Sequence, residues 1–436
     1  MIKRRQFLDF FTKQNIQYAS NNLSKPYLGN LSPGCVTCIN GTWSCLYLNR
    51  LCTRNCFFCP TEQIEKNGKF PVPHDIRDVE FREVKEYIQY LETFPYDGIG
   101  ISGGEPFLAF ERLTEYISEI RNVFGSRHYI WMYTNGDLVT EERLAILEQI
   151  GLNEIRFDLS AREYNLTPVK LALKHIDTVT IEIPAIPEDV GKVKKLLKQF
   201  ETLGVKYLIL HQLMATEYNQ NHFADRGYSF CKGIYRTSVP ESELAAFDIL
   251  KHAIESNSGV GINYCSLLYK ERFQSNAFRR RYAPFCRSKE ESITQTGFLR
   301  KFSFEDSIED TFSPQQLESA IMAEPYRPIR VTYYYPKVQA LTNEPDNASN
   351  VVSFGSNKAI ISKSNATYFT LTNRVSALLF HNLFIENKEN EIRALFRTEE
   401  VQSSDNFEFI NNFYRQFENL EYLSRGLLDY EKGVPK

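Results

Sequence analysis

Three thiols in the run Cys52-Thr53-Arg54-Asn55-Cys56-Phe57-Phe58-Cys59 stand at C-x3-C-x2-C spacing, directly after a β-rich stretch. A loop of this length can present three thiolates to one metal group. They could fill three corners of an iron–sulfur cube and leave the fourth iron open to a ligand, or form part of a zinc site. Electron-transfer clusters generally take four protein thiolates, so the open corner points to binding chemistry at the metal. Six of the nine cysteines, Cys35, Cys38, Cys45, Cys52, Cys56 and Cys59, crowd between positions 35 and 59. No apolar signal core follows Met1, so a reducing cytoplasm is expected, and there such crowding suits metal ligation better than disulfides.

Cys35-x2-Cys38 is half of a second metal site, for zinc or an auxiliary iron–sulfur cluster, and Cys265 and Cys286 are the nearest candidates to close it. The competing reading makes them small buried hydrophobes. Cys45 reads as a structural strand residue, and Cys231 as either a ligand or a free loop thiol.

Polar residues recur where β-rich runs end. Ser102-Gly103-Gly104-Glu105-Pro106 closes the second run, where two glycines permit close backbone approach and a carboxylate can accept from an ammonium. Thr134 and Asn135 close the third. Asp158 and Ser160 belong to the fourth, where they offer an acceptor and a donor on one side of a strand, or else form a strand-terminal turn. Glu182 lies on the fifth and His211 on the sixth, and a lone histidine is commonly a hydrogen-bonded core residue.

The elements that must position these groups alternate. Strands are expected at 45–49, 98–102, 129–134, 154–159, 178–183, 207–211 and 261–265, with helices at 83–92, 110–124, 141–150, 188–203 and 241–256. That order predicts an α/β fold, a partial or near-complete (β/α) barrel with its functional loops at the strand C-termini. Residues 1–44 read as an N-terminal extension, 45–287 as the barrel, 288–325 as a connector and 326–436 as a separate domain. In that domain three strands near 351–355, 358–362 and 368–371 precede helices at 373–384, 388–396 and 406–422, the size of a winged helix.

The cysteine loop, with Phe58 just before its last cysteine and the glycine-glycine-glutamate-proline segment next in order, resembles the radical S-adenosylmethionine (SAM) superfamily. Gly34–Cys38, Glu154–Phe157, Ile181–Pro187, Tyr264–Ser266, Tyr269-Lys270 and Phe273-Gln274 look like a branch related to pyruvate formate-lyase activating enzymes. The likeness spans about 35–287. It implies a 4Fe–4S cluster on Cys52, Cys56 and Cys59, and SAM contacts from Phe58, Ser102, Gly103, Gly104, Glu105, Pro106, Thr134, Asn135, Asp158, Ser160 and Glu182. It further implies reductive cleavage of SAM to a 5′-deoxyadenosyl radical that abstracts hydrogen, fed by an electron donor of flavodoxin or ferredoxin type. The C-terminal order resembles the peptide-recognition domain of pyrroloquinoline-quinone biosynthesis, which adds a leader peptide to a sheet edge, here at 358–362 or its neighbour. A ribosomally synthesised precursor peptide is the partner this implies.

Charge bounds the alternatives. Fifty-one basic and fifty-four acidic side chains give −3 overall, which argues against nucleic acid, and no run of about 18 apolar residues suggests a membrane span. Activation of a glycyl-radical enzyme, modification of a small molecule or RNA, and a non-catalytic zinc-stapled binding module remain as other readings. No cobalamin-type domain is expected ahead of the barrel.

Overall fold

The computed structural model describes residues 2–19, 24–62, 72–75, 79–94, 96–232, 236–340, 351–354, 357–363, 367–372, 374–386 and 420–421. These divide into two units, the first running to Gln274 and the second made mainly of residues from Ser275 onward.

The first unit is a sheet of seven parallel strands laid side by side in chain order: β1 (Trp43–Asn49), β2 (Gly98–Gly103), β3 (Tyr129–Thr134), β4 (Glu154–Phe157), β5 (Thr178–Pro184), β6 (Tyr207–His211) and β7 (Gly261–Cys265). Short antiparallel strands cover both ends, Pro26–Leu28 on β7 and His74–Asp75 on β1. Every residue of β4 and β7 is buried, as expected for parallel strands covered on both faces. This is the expected partial barrel, with strand positions close to those read from the sequence.

Amphipathic helices return the chain between strands. Helix α1 (Phe110–Phe124) buries Leu113, Tyr116, Ile117 and Ile120, one stripe at helical spacing. Helix α2 (Glu141–Gln149) begins where Thr140 accepts from the Arg143 amide, with Glu141 and Glu142 in its first turn. Helix α3 (Val190–Leu203) starts two residues later than expected, because Pro187–Asp189 forms a separate tight turn.

The N-terminal segment is not an appendage. Helix Pro33–Asn40, capped by the Ser32 hydroxyl and opened by Pro33, carries both Cys35 and Cys38 against the interior of the barrel. A Cβ at Gly34 would stand 2.2 Å from Arg156 Nη2 and 3.1 Å from the Trp131 ring, and one at Gly98 would stand 2.7 Å from Thr37 Oγ1. Backbone and barrel side chains therefore meet more closely than a side chain at either position permits.

In the second unit the boundaries expected at 287 and 325 are displaced. Strands β8 (Leu299–Phe304), β9 (Ser307–Phe312), β10 (Ile329–Tyr334) and β13 (Thr367–Leu371) share one sheet with Ser292–Ile293, so the presumed connector supplies part of that sheet. The reason is burial: Phe302, Phe304 and Phe312 pack in one core with Ile329, Val331 and Phe369. A second sheet has β12 (Asn357–Lys363) in the middle, flanked by β11 (Pro336–Ala340) and Val351–Phe354. Of the two edges expected, 358–362 is thus paired on both sides, whereas its neighbour Val351–Phe354 is last in the sheet. Arg374–Phe380 and the following turn His381–Ile385 occupy the first expected helix, whereas 388–396 and nearly all of 406–422 lie outside the described residues.

Candidate active site

A cavity of about 500 Å³ opens at the C-terminal ends of the parallel strands, where the loops after β1 to β7 converge. Cys52, Cys56 and Cys59 line it, and none is in a disulfide. Burial raises all three thiols, Cys56 to about 12. Thiolates are the ligands a metal requires, so in this pocket a bound metal would supply the positive charge that the thiolates otherwise lack.

The loop that carries them is held from three sides. Asn135, at the end of β3, donates through Nδ2 to Cys52 Sγ at 3.5 Å and to Thr53 Oγ1 at 2.8 Å. Asp137 takes both nitrogens of the Arg54 fork at 2.6 Å, and that guanidinium holds its carboxyl below the ordinary range. From the segment after β6, Asn219 Nδ2 donates to the carbonyls of Phe58 and Cys59 at 3.3 and 3.2 Å. Phe58 itself lines the cavity and, with Phe57, packs against Leu213, Phe223, Tyr228 and Val239.

The glycine pair has a different neighbour from the expected one. Gly103, at φ +115°, and Gly104 press against the chain that leads into the cysteine loop. An added Cβ would stand 2.1 Å from the Asn49 carbonyl oxygen or 1.7 Å from that of Leu51. The Gly104 and Glu105 amides donate to those same two carbonyls at 2.9 and 2.7 Å. Asn49 Nδ2 returns a bond to the Glu105 carbonyl at 3.0 Å. The two segments are therefore locked backbone to backbone before any ligand arrives.

Glu105 is 1% exposed. Its carboxylate accepts from the Asn135 and Phe107 amides and the Thr134 hydroxyl at 2.8, 3.1 and 2.9 Å, while burial lifts its carboxyl to about 7. Ser102 and Thr134 line the cavity with it, whereas Pro106 is buried as the first residue of a helical turn. Strand β4 ends at Phe157, and Asp158 caps the turn Leu159–Arg162 instead of continuing the strand. Ser160 gives both its amide and its hydroxyl to Asp158. The expected pair on one strand face is thus one capped turn, and of the two only Asp158 lines the cavity.

Glu182 also lines the cavity, and each of its oxygens already accepts a bond. It receives Arg156 Nη1 at 2.8 Å and His211 Nε2, and Arg156 in turn binds Glu154 at 2.8 Å. Burial would raise Glu182, yet Arg156 and His211 overcome it and hold the carboxyl at about 2. Lys270 Nζ and His211 Nδ1 lie 2.7 Å apart, which extends the network across the barrel.

Three of the four cysteines expected in a second site line this same cavity, although among the described residues their sulfurs are not gathered closely enough to share one ion. Cys35, Cys38 and Cys265 line the deep part of the cavity around Lys25, which is 1% exposed. Burial opposes the Lys25 charge, but the three thiols favour it, and Lys25 with Lys270 and His211 pulls Cys265 down against its own burial. Cys286 belongs to helix Ser275–Cys286 of the second unit, and its thiol contacts the Tyr282 and Ala283 carbonyls of that helix. Lys25, Asn49, Asp137 and Asn219 carried no motif that marked them for these roles, and Lys270 entered only through the resemblance, with no role assigned.

Residues 46–169 match the family model described as the radical SAM superfamily. The chain carries a radical SAM domain. It is a radical SAM enzyme, and its cofactors are a 4Fe–4S cluster and SAM. Over 308 residues the chain is 26% identical to a protein of Methanocaldococcus jannaschii named as a glycyl-radical enzyme activating enzyme, a match spanning 67% of this chain and 78% of that one. Among solved structures, Streptococcus suis SuiB bound to S-adenosylmethionine is similar at 12% identity and a TM-score of 0.40, over 63% of this chain and 60% of that one. Native anSMEcpe with bound AdoMet and Cp18Cys peptide is similar at 16% identity and a TM-score of 0.36, over 50% and 62%. The chain thus spans less than two thirds of these two solved chains. No helix among the described residues is long and apolar enough to cross a membrane.

The donor set of the radical SAM domain fits its cofactors. Three thiols outside any disulfide stand on one pinned loop and would hold a cluster with one metal corner open, and a buried carboxylate stands at the neighbouring strand ends as an acceptor for an ammonium.

Proposed function

We propose that this radical SAM enzyme abstracts hydrogen from a peptide, a ribosomally synthesised precursor in a maturation pathway. The observation that carries the reading is the cavity itself, in which the cysteine loop, Glu105 and Asp158 share one space with the network Glu182–His211–Lys270. Cys52, Cys56 and Cys59 would hold the cluster, and Glu105 would take the cofactor's amino group, flanked by Ser102, Thr134, Asn135 and Asp158. Bound there, the cluster and SAM supply reductive cleavage of a carbon–sulfur bond and hydrogen-atom abstraction. Asn135 orients Cys52, Asn219 closes the loop over Phe58 and Cys59, and Phe57 and Phe58 restrict water at the metal.

The second unit would hold the peptide by strand addition. With β12 paired on both sides, the edges that support this reading are β13, last in its sheet, and Val351–Phe354, last in the other. An electron donor of flavodoxin or ferredoxin type would serve the cluster from outside, in a reducing cytoplasm.

Activation of a glycyl-radical enzyme is the second reading, favoured by the name of the Methanocaldococcus jannaschii relative. Anaerobically reconstituted protein should form 5′-deoxyadenosine from SAM under dithionite. Incubation with short precursors from neighbouring reading frames should then change a peptide's mass. A glycyl radical signal on a large protein partner, with no peptide modified, would decide for the second reading.

A further inference from the structure

Two arginines of the cavity take no part in the arrangement described so far. Arg50 follows β1, Arg236 precedes the short strand Thr237–Ser238, and both line the cavity. Both act electrostatically on the phenol of Tyr47, a half-buried side chain of β1 that lines the same space. The other cations there have counter-groups: Arg54 has Asp137, Arg156 has Glu154 and Glu182, Lys25 has three thiols, and Lys270 has Cys265 and Glu182. The cavity's inner carboxylates are engaged as well. Glu105 and Asp158 accept from backbone amides and hydroxyls, and Glu182 is held by Arg156 and His211.

Arg50 and Arg236 have no carboxylate partner among the described residues, and Arg236 Nη1 is shut off from solvent with no acceptor. A guanidinium N–H removed from water and left without an acceptor is costly, and a concave site lined by uncompensated cations attracts an anion. Guanidinium forks also match the planar geometry of a carboxylate.

We propose that Arg50 and Arg236, beside Tyr47, form a subsite for a carboxylate of the substrate. This rests on the reading that the cavity receives a peptide next to the cofactor, and it narrows that peptide to one with an acidic side chain or C-terminus close to the reacting position. The methionyl carboxylate of SAM is the other source of the same chemistry, and the test separates the two.

Glutarate and its neutral analogue glutaramide are titrated calorimetrically into reconstituted full-length enzyme saturated with SAM. Glutarate binds and glutaramide does not. Arg236→Gln and Arg50→Gln each weaken glutarate by about tenfold or more, the loss expected for a charge-assisted hydrogen bond. Arg236→Lys retains part of the affinity, and SAM affinity and iron content stay at the wild-type level in all three variants. The proposal is overturned if wild-type enzyme does not bind glutarate, if glutaramide binds equally well, or if both Gln variants bind glutarate normally. It is also overturned if SAM displaces glutarate and the variants lose SAM affinity, which would give the pair to the cofactor. Wild-type enzyme that binds glutarate through this pair but forms no 5′-deoxyadenosine would sink the functional reading and leave the anion subsite standing.

Discussion

The side-chain amide of Asn135 reaches from the end of β3 to the sulfur of Cys52, 3.5 Å away, while its backbone amide donates to Glu105 at 2.8 Å. One residue therefore ties the first thiol of the metal loop to the buried carboxylate of the neighbouring segment. A ligand sulfur that accepts a hydrogen bond is less electron-rich, and such outer contacts tune the metal.

Asn135→Leu removes the bond to sulfur and keeps the backbone donor. The reduced cluster becomes harder to form, and 5′-deoxyadenosine production falls by about 10–100-fold, the usual effect of losing such a contact. A paramagnetic-resonance redox titration should show a lower midpoint potential with iron content unchanged. An unchanged midpoint would remove Asn135 from this role.

Gly104→Ala places a methyl group 1.7 Å from the Leu51 carbonyl oxygen, so the two locked backbones must separate. Destabilisation of about 3 kcal/mol or more and poor iron uptake should follow, read by thermal unfolding and iron per chain. Gly191→Ala is the control: nothing lies within 4 Å in helix α3, and the change should stabilise by about 0.5–1 kcal/mol.

Glu182 supplies an acid-sensitive contribution to stability. Its folded carboxyl lies at about 2 against an ordinary 4.5, so the stabilisation is complete above 4.5 and is lost as pH falls toward 2. The linked free energy is about 3 kcal/mol. Glu182→Gln should lower stability at neutral pH and flatten the acid limb of the stability curve, as followed by urea unfolding between pH 3 and 7. An equally steep acid limb in the variant would place the titration elsewhere.

Cys286→Ser should leave iron and zinc content at wild-type values in elemental analysis. Among the described residues its thiol donates to carbonyls of its own helix, so no ligand is lost. A drop of one metal equivalent would return Cys286 to the second site.

Local signals carried the cysteine loop, the seven parallel strands and most helix limits. Hydrophobic period and ligand spacing are properties of neighbouring residues, and α1 and β3 lie where those periods put them. What depended on contacts between distant segments was not legible. Gly103 and Gly104 read as room for a ligand, and both line the cavity, but their packing against Asn49 and Leu51 was not foreseen. Glu182 read as a cofactor contact, and it lines the cavity, but its bonds to Arg156 and His211 were not foreseen. Phe302 and Phe312 looked like parts of a connector, although their burial with Val331 makes them core.

Chain order alone determined the chemistry available, because three thiols at that spacing can meet one metal group whatever surrounds them. Tertiary structure decided which polar groups are spent and which stay open. Lys25 reaches three thiols, Cys286 stays in its own helix, and Arg50 and Arg236 face the cavity without a carboxylate among the described residues. Charge compensation is settled by whichever side chains folding brings within a few ångströms, and sequence separation does not encode that distance.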